Sequence, residues 1–237
     1  MHHFGEPLVE SPGDFGLQTK TPLQLPLLDF LADWFIRHGW RTKSLHELIM
    51  TSKAWQRSSI LADSETFKKQ LLEDPQNTLL WKASRRRLDF EQMRDSLLYV
   101  SGELNDAMYG RPQVVTEPTN LRRTVYAFVE RQNIPAMVQT FDFANADTST
   151  PRRSQTTVPQ QALFALNSDF MLARAKALAA RTQADSPENT VRRLCQLVLG
   201  RDPTAEELVE FKEFLTANSL ESLAQVVLMS NELMFID

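Results

Sequence analysis

The chain has 237 residues, of which 42% are hydrophobic and 24% charged, a balance typical of a folded globular protein rather than a disordered one. Its formal net charge of −4 argues against a dedicated nucleic-acid-binding protein, and its seven glycines are too few for a turn-rich all-β or collagen-like architecture. No apolar run approaches the ~18 residues that a membrane-spanning helix needs. This length is enough to bury a sizeable core and fits one large domain or two small ones that share a core; we expect one domain over residues 1–237.

Helical patterns dominate the first part of the chain, after an ordered loop over residues 1–20. Pro26 is placed where the first turn of a helix tolerates proline, and Gly39 is placed where that helix would end. Ser44 and Glu47 have the spacing of a capping box and predict the start of a second helix. The predicted helices in this part are, approximately, 26–39, 44–55, 64–73 and 79–100, the last with a break near Arg86 and Arg87.

The second part of the chain predicts a similar architecture. Residues 105–120 and 142–157 predict loops, and Thr124–Val129, which is β-branched and aromatic, is the best strand candidate. The predicted helices are 135–141, 159–181, 187–199, one that begins at the Thr204–Glu207 capping box, and 222–229. The fold class is therefore mainly α, a single domain of roughly eight helices with at most one or two short strands.

Cysteine and histidine give no indication of a metal site or a disulfide. Cys195 is alone and has apolar neighbours, which predicts a small core residue rather than a reactive thiol. The four histidines lack the spacing of metal ligands, so we predict neither a metal nor another cofactor in this chain. The four tryptophans lie in helical patterns and are predicted to be core residues: Trp34, Trp40, Trp55 and Trp81.

Arginine is the most suggestive residue type. Ten of the eleven basic residues between residues 82 and 153 are arginines, whose planar guanidinium binds carboxylates, sulfates and phosphates through two parallel hydrogen bonds. Two interpretations stay open: the arginines brace helix ends by pairing with nearby acids, or some of them converge on an anionic ligand. The candidate anion-binding residues are Arg86, Arg87, Arg122, Arg123, Arg152 and Arg153.

Carboxylates in predicted loops are the candidate acids of a hydrolytic site: Asp14, Asp142 and Asp147. A glycosidase needs two such groups roughly 5–9 Å apart, a separation that the sequence does not give. The chain contains no Gly-x-Ser-x-Gly elbow, no phosphate-binding P-loop and no dinucleotide fingerprint. The catalytic residues therefore stay unassigned, and whether the protein is an enzyme stays open.

Several segments, taken together and in order, resemble the domain-of-unknown-function family 1553. The segments cover nearly the whole chain: 3–16, 39–52, 74–81, 85–95, 141–142, 151–167, 199–204 and 230–237. One departure is Thr150, which stands where many relatives have a cysteine before the Pro151-Arg152-Arg153 motif. The resemblance also begins inside a motif that continues upstream in the family, so we expect a C-terminal part whose N-terminal domains are missing.

The resemblance implies a context rather than an activity. Members of this family, first noted in planctomycetes, form the C-terminal part of exported proteins that often carry a cytochrome-c-type domain and a companion domain of unknown function 1549. Some lie near sulfatases and polysaccharide-degrading enzymes. The sequence has no signal-peptide pattern and indicates no compartment, so an extracytoplasmic location rests on the resemblance alone.

Two hypotheses follow. The first is a non-catalytic interaction module of an extracytoplasmic multidomain protein linked to redox or polysaccharide utilisation, whose partners are the missing N-terminal domains or a separate protein. The second is a domain that binds or cleaves a sulfated or acidic glycan with its arginines and loop acids. The first hypothesis predicts an exposed apolar patch near residues 1–20. The second hypothesis requires that one of three arginines lines a pocket with one of two loop acids. The arginines are Arg86, Arg122 and Arg152, and the acids are Asp142 and Asp147.

Overall fold

The computed structural model describes residues 1–59 and 65–236 and divides them into two compact units, 1–86 and 87–236. The protein is mainly α, with 48% of its residues in helices and 3% in strands, which confirms the expected fold class. Eleven α-helices are described rather than about eight. The assignment of one domain to residues 1–237 stays a prediction, and each unit is described here by itself.

The first unit contains three helices: α1, Leu25–Arg37; α2, Thr42–Met50; and α3, Glu65–Glu73. Pro26 lies in the first turn of α1, and Gly39 follows the helix with φ +70°, both as predicted. The predicted capping box of α2 is wrong, because the helix already begins at Thr42 and Ser44 lies inside it. Ser64, where the third helix was expected to begin, lies outside the described residues.

Residues 74–84 form hydrogen-bonded turns rather than the predicted helix. The carboxylate of Asp74 accepts the backbone N–H groups of Thr78 (2.9 Å) and Leu79 (2.8 Å). The Asn77 side-chain amide donates to the Lys82 carbonyl at 2.9 Å, and Asn77 itself has φ +56°. These side chains satisfy backbone groups that a helix would have paired, so the helix is displaced.

Tryptophan burial differs from the prediction. Trp40 and Trp55 are exposed, while Trp34 and Trp81 are half-buried. The Trp81 indole donates to the Asp74 carbonyl at 2.9 Å and meets Phe67 edge-on, so it packs locally rather than in a core. All four belong to the first unit, whose burial is described below.

The second unit contains eight α-helices, a short 3-10 helix and one complete strand, with a second strand at its boundary. The elements are α4, Phe90–Ser101; the 3-10 helix, Thr124–Tyr126; α5, Ala136–Thr140; α6, Pro159–Asn167; α7, Asp169–Thr182; α8, Pro187–Val198; α9, Ala205–Ala217; α10, Leu220–Leu228; and α11, Asn231–Met234. The strands are β1, Arg86–Arg87, and β2, Phe235–Ile236.

The core of the second unit is built by α4, α7, α8 and α10. Each contributes a leucine that is essentially inaccessible to solvent: Leu97, Leu178, Leu194 and Leu228. Cys195 is equally buried, and that burial is the main reason that its pKa is raised to about 11. The prediction of a core thiol is therefore confirmed.

Two elements of this unit differ from expectation. The strand predicted at Thr124–Val129 is wrong: the segment begins with a 3-10 turn, because Thr124 donates its N–H (2.7 Å) and hydroxyl (2.6 Å) to Asp95. The predicted helix over 159–181 is two helices separated at Ser168. None of the helices among the described residues is long and apolar enough to span a bilayer.

Candidate functional site

The six candidate arginines do not form one cluster. Arg86, in the first unit, donates to the His2 carbonyl at 2.9 Å. Arg122 donates to the carbonyls of Ala107 and Arg111 at 3.0 and 3.2 Å, and its guanidinium covers the Tyr126 ring at 4.4 Å. Arg123 is exposed and lies 3.8 Å from Asp95. Arg86 and Arg122 therefore bind backbone carbonyls, and of the three only Arg123 lies near an acid, as the first interpretation of the arginines expects.

Arg87, Arg152 and Arg153 do come together, around Asp142. Arg87 pairs with the Asp142 carboxylate at 2.8 Å, while Arg152 and Arg153 line one hollow of about 540 Å³ with that same residue. The hollow lies in the loop that joins α5 to α6, where Asn145, Ser154 and Gln155 add polar groups. Of the residues that the glycan hypothesis names, Arg152 and Asp142 line this hollow, whereas Arg86, Arg122 and Asp147 do not.

Asp142 is the most constrained residue of this hollow. It accepts from the Thr156 N–H (2.8 Å), the Thr156 hydroxyl (2.7 Å) and Arg87, and its φ is +59°, in the left-handed region. Burial raises the pKa of the carboxyl, but these hydrogen bonds outweigh it, so the pKa is lowered overall. Asp142 is therefore a carboxylate at neutral pH, held in place by three donors.

Arg153 is also held in place by hydrogen bonds, in its case to a carboxylate. Its two terminal nitrogens donate to both Glu91 oxygens, at 2.7 and 2.8 Å, and the guanidinium covers the Phe143 ring at 5.0 Å. Burial raises the pKa of Glu91, but hydrogen bonding from Arg153 outweighs it and the pKa is lowered. The same hydrogen bonds are the main reason that the pKa of Arg153 is raised. Both groups stay charged across the physiological range.

Of the three loop acids, Asp142 is the one that lines the hollow among the described residues. Asp147 belongs to the loop of Asp142 but is exposed and does not line the hollow, and Asp14 belongs to the first unit. Asp142 is ionised and lacks the raised pKa that a general acid needs. Within residues 1–59 and 65–236, no group of three or more acids, histidines and cysteines is arranged to hold a metal ion.

The first unit presents a different kind of surface. Asn77 is its one buried residue among those that the structure describes, and each of its helices carries exposed apolar side chains. The loop before α1 adds to them, with Phe15 70% and Leu17 fully exposed. The most exposed large apolar residues of the unit are Phe15, Leu17, Leu23, Phe30, Ile36, Trp40, Leu72 and Leu79.

Comparison with known proteins identifies the family. The family described as PSD1, a protein of unknown function (DUF1553), matches residues 1–215 of the 237. The chain belongs to the DUF1553 family. No curated protein and no solved structure matches it. The resemblance found in the ordered sequence segments is thereby confirmed.

This DUF1553 chain also contains two functional candidates that the sequence analysis missed. Arg94 and Arg174 are almost completely buried in the second unit, at 2% and 5% exposure, and both line an apolar cavity. The sequence does contain a pattern that indicates burial of Arg94. This residue lies on α4 at helical spacing from the core residues Phe90, Leu97 and Leu98. A charged residue among core positions is uncommon unless it has a partner or a ligand.

Proposed function

We propose that this DUF1553 protein is a non-catalytic interaction module in which residues 1–86 form the docking unit. The observation that carries the proposal is burial: of the described residues in this unit, only Asn77 is buried. A unit of this size normally needs a hydrophobic core to be stable by itself. Large exposed apolar patches mark surfaces that another molecule covers, so we infer that a partner protein covers this one.

Exposed apolar side chains continue from the loop into α1. Leu23 lies just before the helix, Leu27 and Phe30 lie within it, and Phe30 is 53% exposed. Aromatic side chains such as that of Phe30 are enriched at the cores of protein interfaces. Near residues 1–20, Phe15 and Leu17 are exposed apolar side chains, which supports the same proposal.

The state of Asp142, in its loop, and of Glu91, on α4, favours a non-catalytic role. Asp142 is ionised and hydrogen-bonded to Arg87 and Thr156, and Glu91 is paired with Arg153. Neither carboxyl is free to exchange a proton near neutral pH. The proposed role therefore depends on the exposed apolar surface of residues 1–86 rather than on catalysis by these carboxyl groups.

The family resemblance suggests which partner to test. It implies an exported multidomain assembly in planctomycetes, with a cytochrome-c-type domain and the companion domain of unknown function 1549. We propose that such a companion domain covers the apolar side chains of residues 1–86, in an extracytoplasmic protein. The role in redox or polysaccharide utilisation belongs to that same proposal.

The test is hydrogen exchange on the full chain, alone and with a purified 1549-type companion domain. Alone, we expect the amides of α1–α3 to exchange far faster than those of α4, α7, α8 and α10, because few buried contacts protect them. With the companion domain, we expect α1–α3 to gain protection. Strong protection of α1–α3 in the isolated chain would contradict the proposal, and so would the absence of any change on mixing.

A matched pair of variants locates the surface. Phe30→Ser removes an exposed phenyl ring from α1, and Phe128→Ser removes one of similar exposure, 47%, from the second unit. We expect Phe30→Ser to weaken the companion complex by at least about tenfold and Phe128→Ser to leave it unchanged. Equal effects of the two substitutions would show that α1 is not the docking face.

A second candidate function rests on the hollow around Asp142. Arg152 and Arg153 line it together with the polar side chains of Asn145 and Gln155, a set that suits binding of a sulfated or acidic glycan. Cleavage is not part of this proposal, because Asp142 is the one acid of the hollow and is held by three donors.

Thermal unfolding with sulfated and carboxylated oligosaccharides tests the second candidate, because a ligand of the native state raises the unfolding midpoint. We expect a rise that Arg152→Gln abolishes and that Arg123→Gln, an exposed arginine away from the hollow, retains. A midpoint that no oligosaccharide changes would reject glycan binding without affecting the docking proposal.

A further inference from the structure

The second unit contains an apolar cavity of about 230 Å³. It lies between α4, the first turns of α7 and residues 115–118, with α5 and α6 contributing one side chain each. Five of its fourteen lining residues are aromatic or sulfur-containing: Phe90, Met93, Met137, Phe164 and Phe170. An apolar cavity of about 150 Å³ already holds benzene, so this one has room for a phenyl ring and a short chain.

Two buried cations share one side of this cavity. The guanidinium carbons of Arg94 and Arg174 lie 5.5 and 4.9 Å from the centroid of the Phe170 ring. Arg174 is neutralised by Glu103, to which it donates at 2.6 and 3.2 Å. Burial is the main reason that the pKa of Arg94 is lowered; the negative charge of Asp95 acts in the opposite direction, and the positive charge of Arg174 lowers the pKa further.

Arg94 has only neutral partners among the described residues. It donates to the carbonyls of Asn120 and Arg122 and to the Thr124 hydroxyl, the last two at 2.9 and 3.1 Å. Its Nε is buried without a hydrogen-bond partner in the described structure. The neighbouring Asp95 is engaged by Thr124 and by Arg123, which lies 3.8 Å away.

Arg94 therefore forms no direct ion pair among the described residues, although the charge of Asp95 offsets part of its own. Both guanidinium groups are more than nine-tenths buried, and Glu103 pairs with Arg174 alone. Burial of a charge without a direct ion pair is unfavourable, and a bound anion would offset part of that cost. At the rim, Asp169 and Glu117 also line the cavity and are exposed, so a second negative charge on the ligand would be repelled.

We propose that this cavity binds a small molecule that joins an apolar, preferably aromatic, body to a single carboxylate. The carboxylate lies against Arg94 and Arg174, and the apolar body lies against Phe164, Phe170 and Met137. The proposal goes beyond the docking function, because it concerns residues of the second unit only. Its failure would leave the docking proposal intact.

The first test compares two probes on the unmodified full chain by isothermal titration calorimetry. 3-Phenylpropionate has the ring and the carboxylate, while 3-phenylpropionamide has the same shape without the charge. We expect saturable binding of the acid at one site and binding of the amide at least about tenfold weaker, the value of a hydrogen bond to a charged group. Equal binding of both probes, or no binding of the acid, would overturn the proposal.

The second test places the binding site. Ala173 lines the cavity at its exposed edge, whereas Ala180, on the same helix, is exposed and does not line it. We expect Ala173→Met to fill the cavity and abolish binding of 3-phenylpropionate, and Ala180→Met to bind as the parent does. Thermal unfolding with 3-phenylpropionate at ten times its dissociation constant should raise the midpoint by about 3 °C in the parent and Ala180→Met only. Retained binding by Ala173→Met would place the ligand elsewhere and contradict the assignment.

Discussion

Arginine side chains in this protein bind backbone carbonyls more often than they line an open site. Arg87, Arg94, Arg122 and Arg181 each donate to carbonyl groups of loops or helix ends. A guanidinium has five donors and can satisfy several carbonyls that no helix or strand pairs. This explains why an arginine-rich block accompanies the long irregular segments between α4 and α6.

The contribution of Asp142 can be isolated by one substitution. Asparagine tolerates the left-handed φ of +59° as aspartate does, so Asp142→Asn removes the charge with little backbone strain. We expect the free energy of unfolding, measured in urea, to fall by about 1–2 kcal/mol, because Arg87 loses its ionic partner. Asp147→Asn, at an exposed position of the same loop, should change it by less than about 0.5 kcal/mol.

The difference in the free energy of unfolding between the parent and Asp142→Asn depends on pH in a definite direction. The pKa of Asp142 is lowered from its ordinary 3.8, so its stabilisation is complete above about pH 5 and is lost as the pH falls through the folded-state value. The free energies of unfolding of the parent and of Asp142→Asn should therefore become equal in acid. A difference that stayed constant down to pH 2 would show that the charge of Asp142 is not what stabilises the loop.

His3 and His46 form a second pH-sensitive contact, in the first unit. Their Nε2 and Nδ1 atoms lie 2.7 Å apart, and the pKa of His3 is lowered from its ordinary 6.5 by burial first and by the charge of His46 second. This contact therefore stabilises the fold above pH 6.5 and is lost as the pH falls below that value. We expect His46→Gln to raise the pKa of His3, measured by NMR titration. An unchanged pKa would show that the two rings do not interact.

At the scale of elements, the sequence predicted helices well where caps and apolar spacing agree. Thr204 and Glu207 form the predicted capping box of α9, and Gly39 lies after α1 in the left-handed region. The prediction of secondary structure failed where a side chain pairs with the backbone of a residue far along the chain. Asp95 engages Thr124 across 29 residues, and this contact replaces the expected strand.

The candidate site was predictable only in part, for the same reason. The sequence analysis named Arg87, Arg152 and Asp142 as candidate site residues. Their proximity, however, depends on how the loop between α5 and α6 folds back on Arg87. Arg94 was missed because its importance comes from burial, which a sequence gives only through helical spacing. The first unit was expected to contribute core tryptophans, and its lack of burial has no signal in composition.

Ser168 decides whether the segment from Pro159 to Thr182 is one helix or two. Its backbone is extended, with ψ of 138°, and its hydroxyl accepts from the Met171 N–H, which makes it the N-cap of α7. We expect Ser168→Ala to lower the free energy of unfolding by about 1 kcal/mol, measured in urea. Thr216→Ala, inside the last turn of α9, removes a hydroxyl that caps no helix start and serves as the control. Equal losses in the two variants would contradict the capping role.

At the scale of the whole molecule, burial is very unevenly distributed along the chain. Every residue of the buried core cluster lies between Phe90 and Leu228, within the second unit. The first unit has charged, exposed cleavage sites for trypsin on and before its helices, including Lys20 and Arg37, with side chains 79% and 74% exposed. Local opening needs little free energy where few apolar contacts are buried.

Limited proteolysis of the full chain should therefore proceed in two stages. We expect trypsin to cleave first within residues 1–86 and to leave a resistant fragment that contains α4 to α10. Leu97→Ala deletes a fully buried side chain of α4, and it should lower the free energy of unfolding by about 2–5 kcal/mol and make that fragment sensitive. Phe30→Ser, in the first unit, should leave the fragment as resistant as in the parent. First cuts within α7 or α8 would contradict this order, because cleavage of a folded chain follows the least protected backbone.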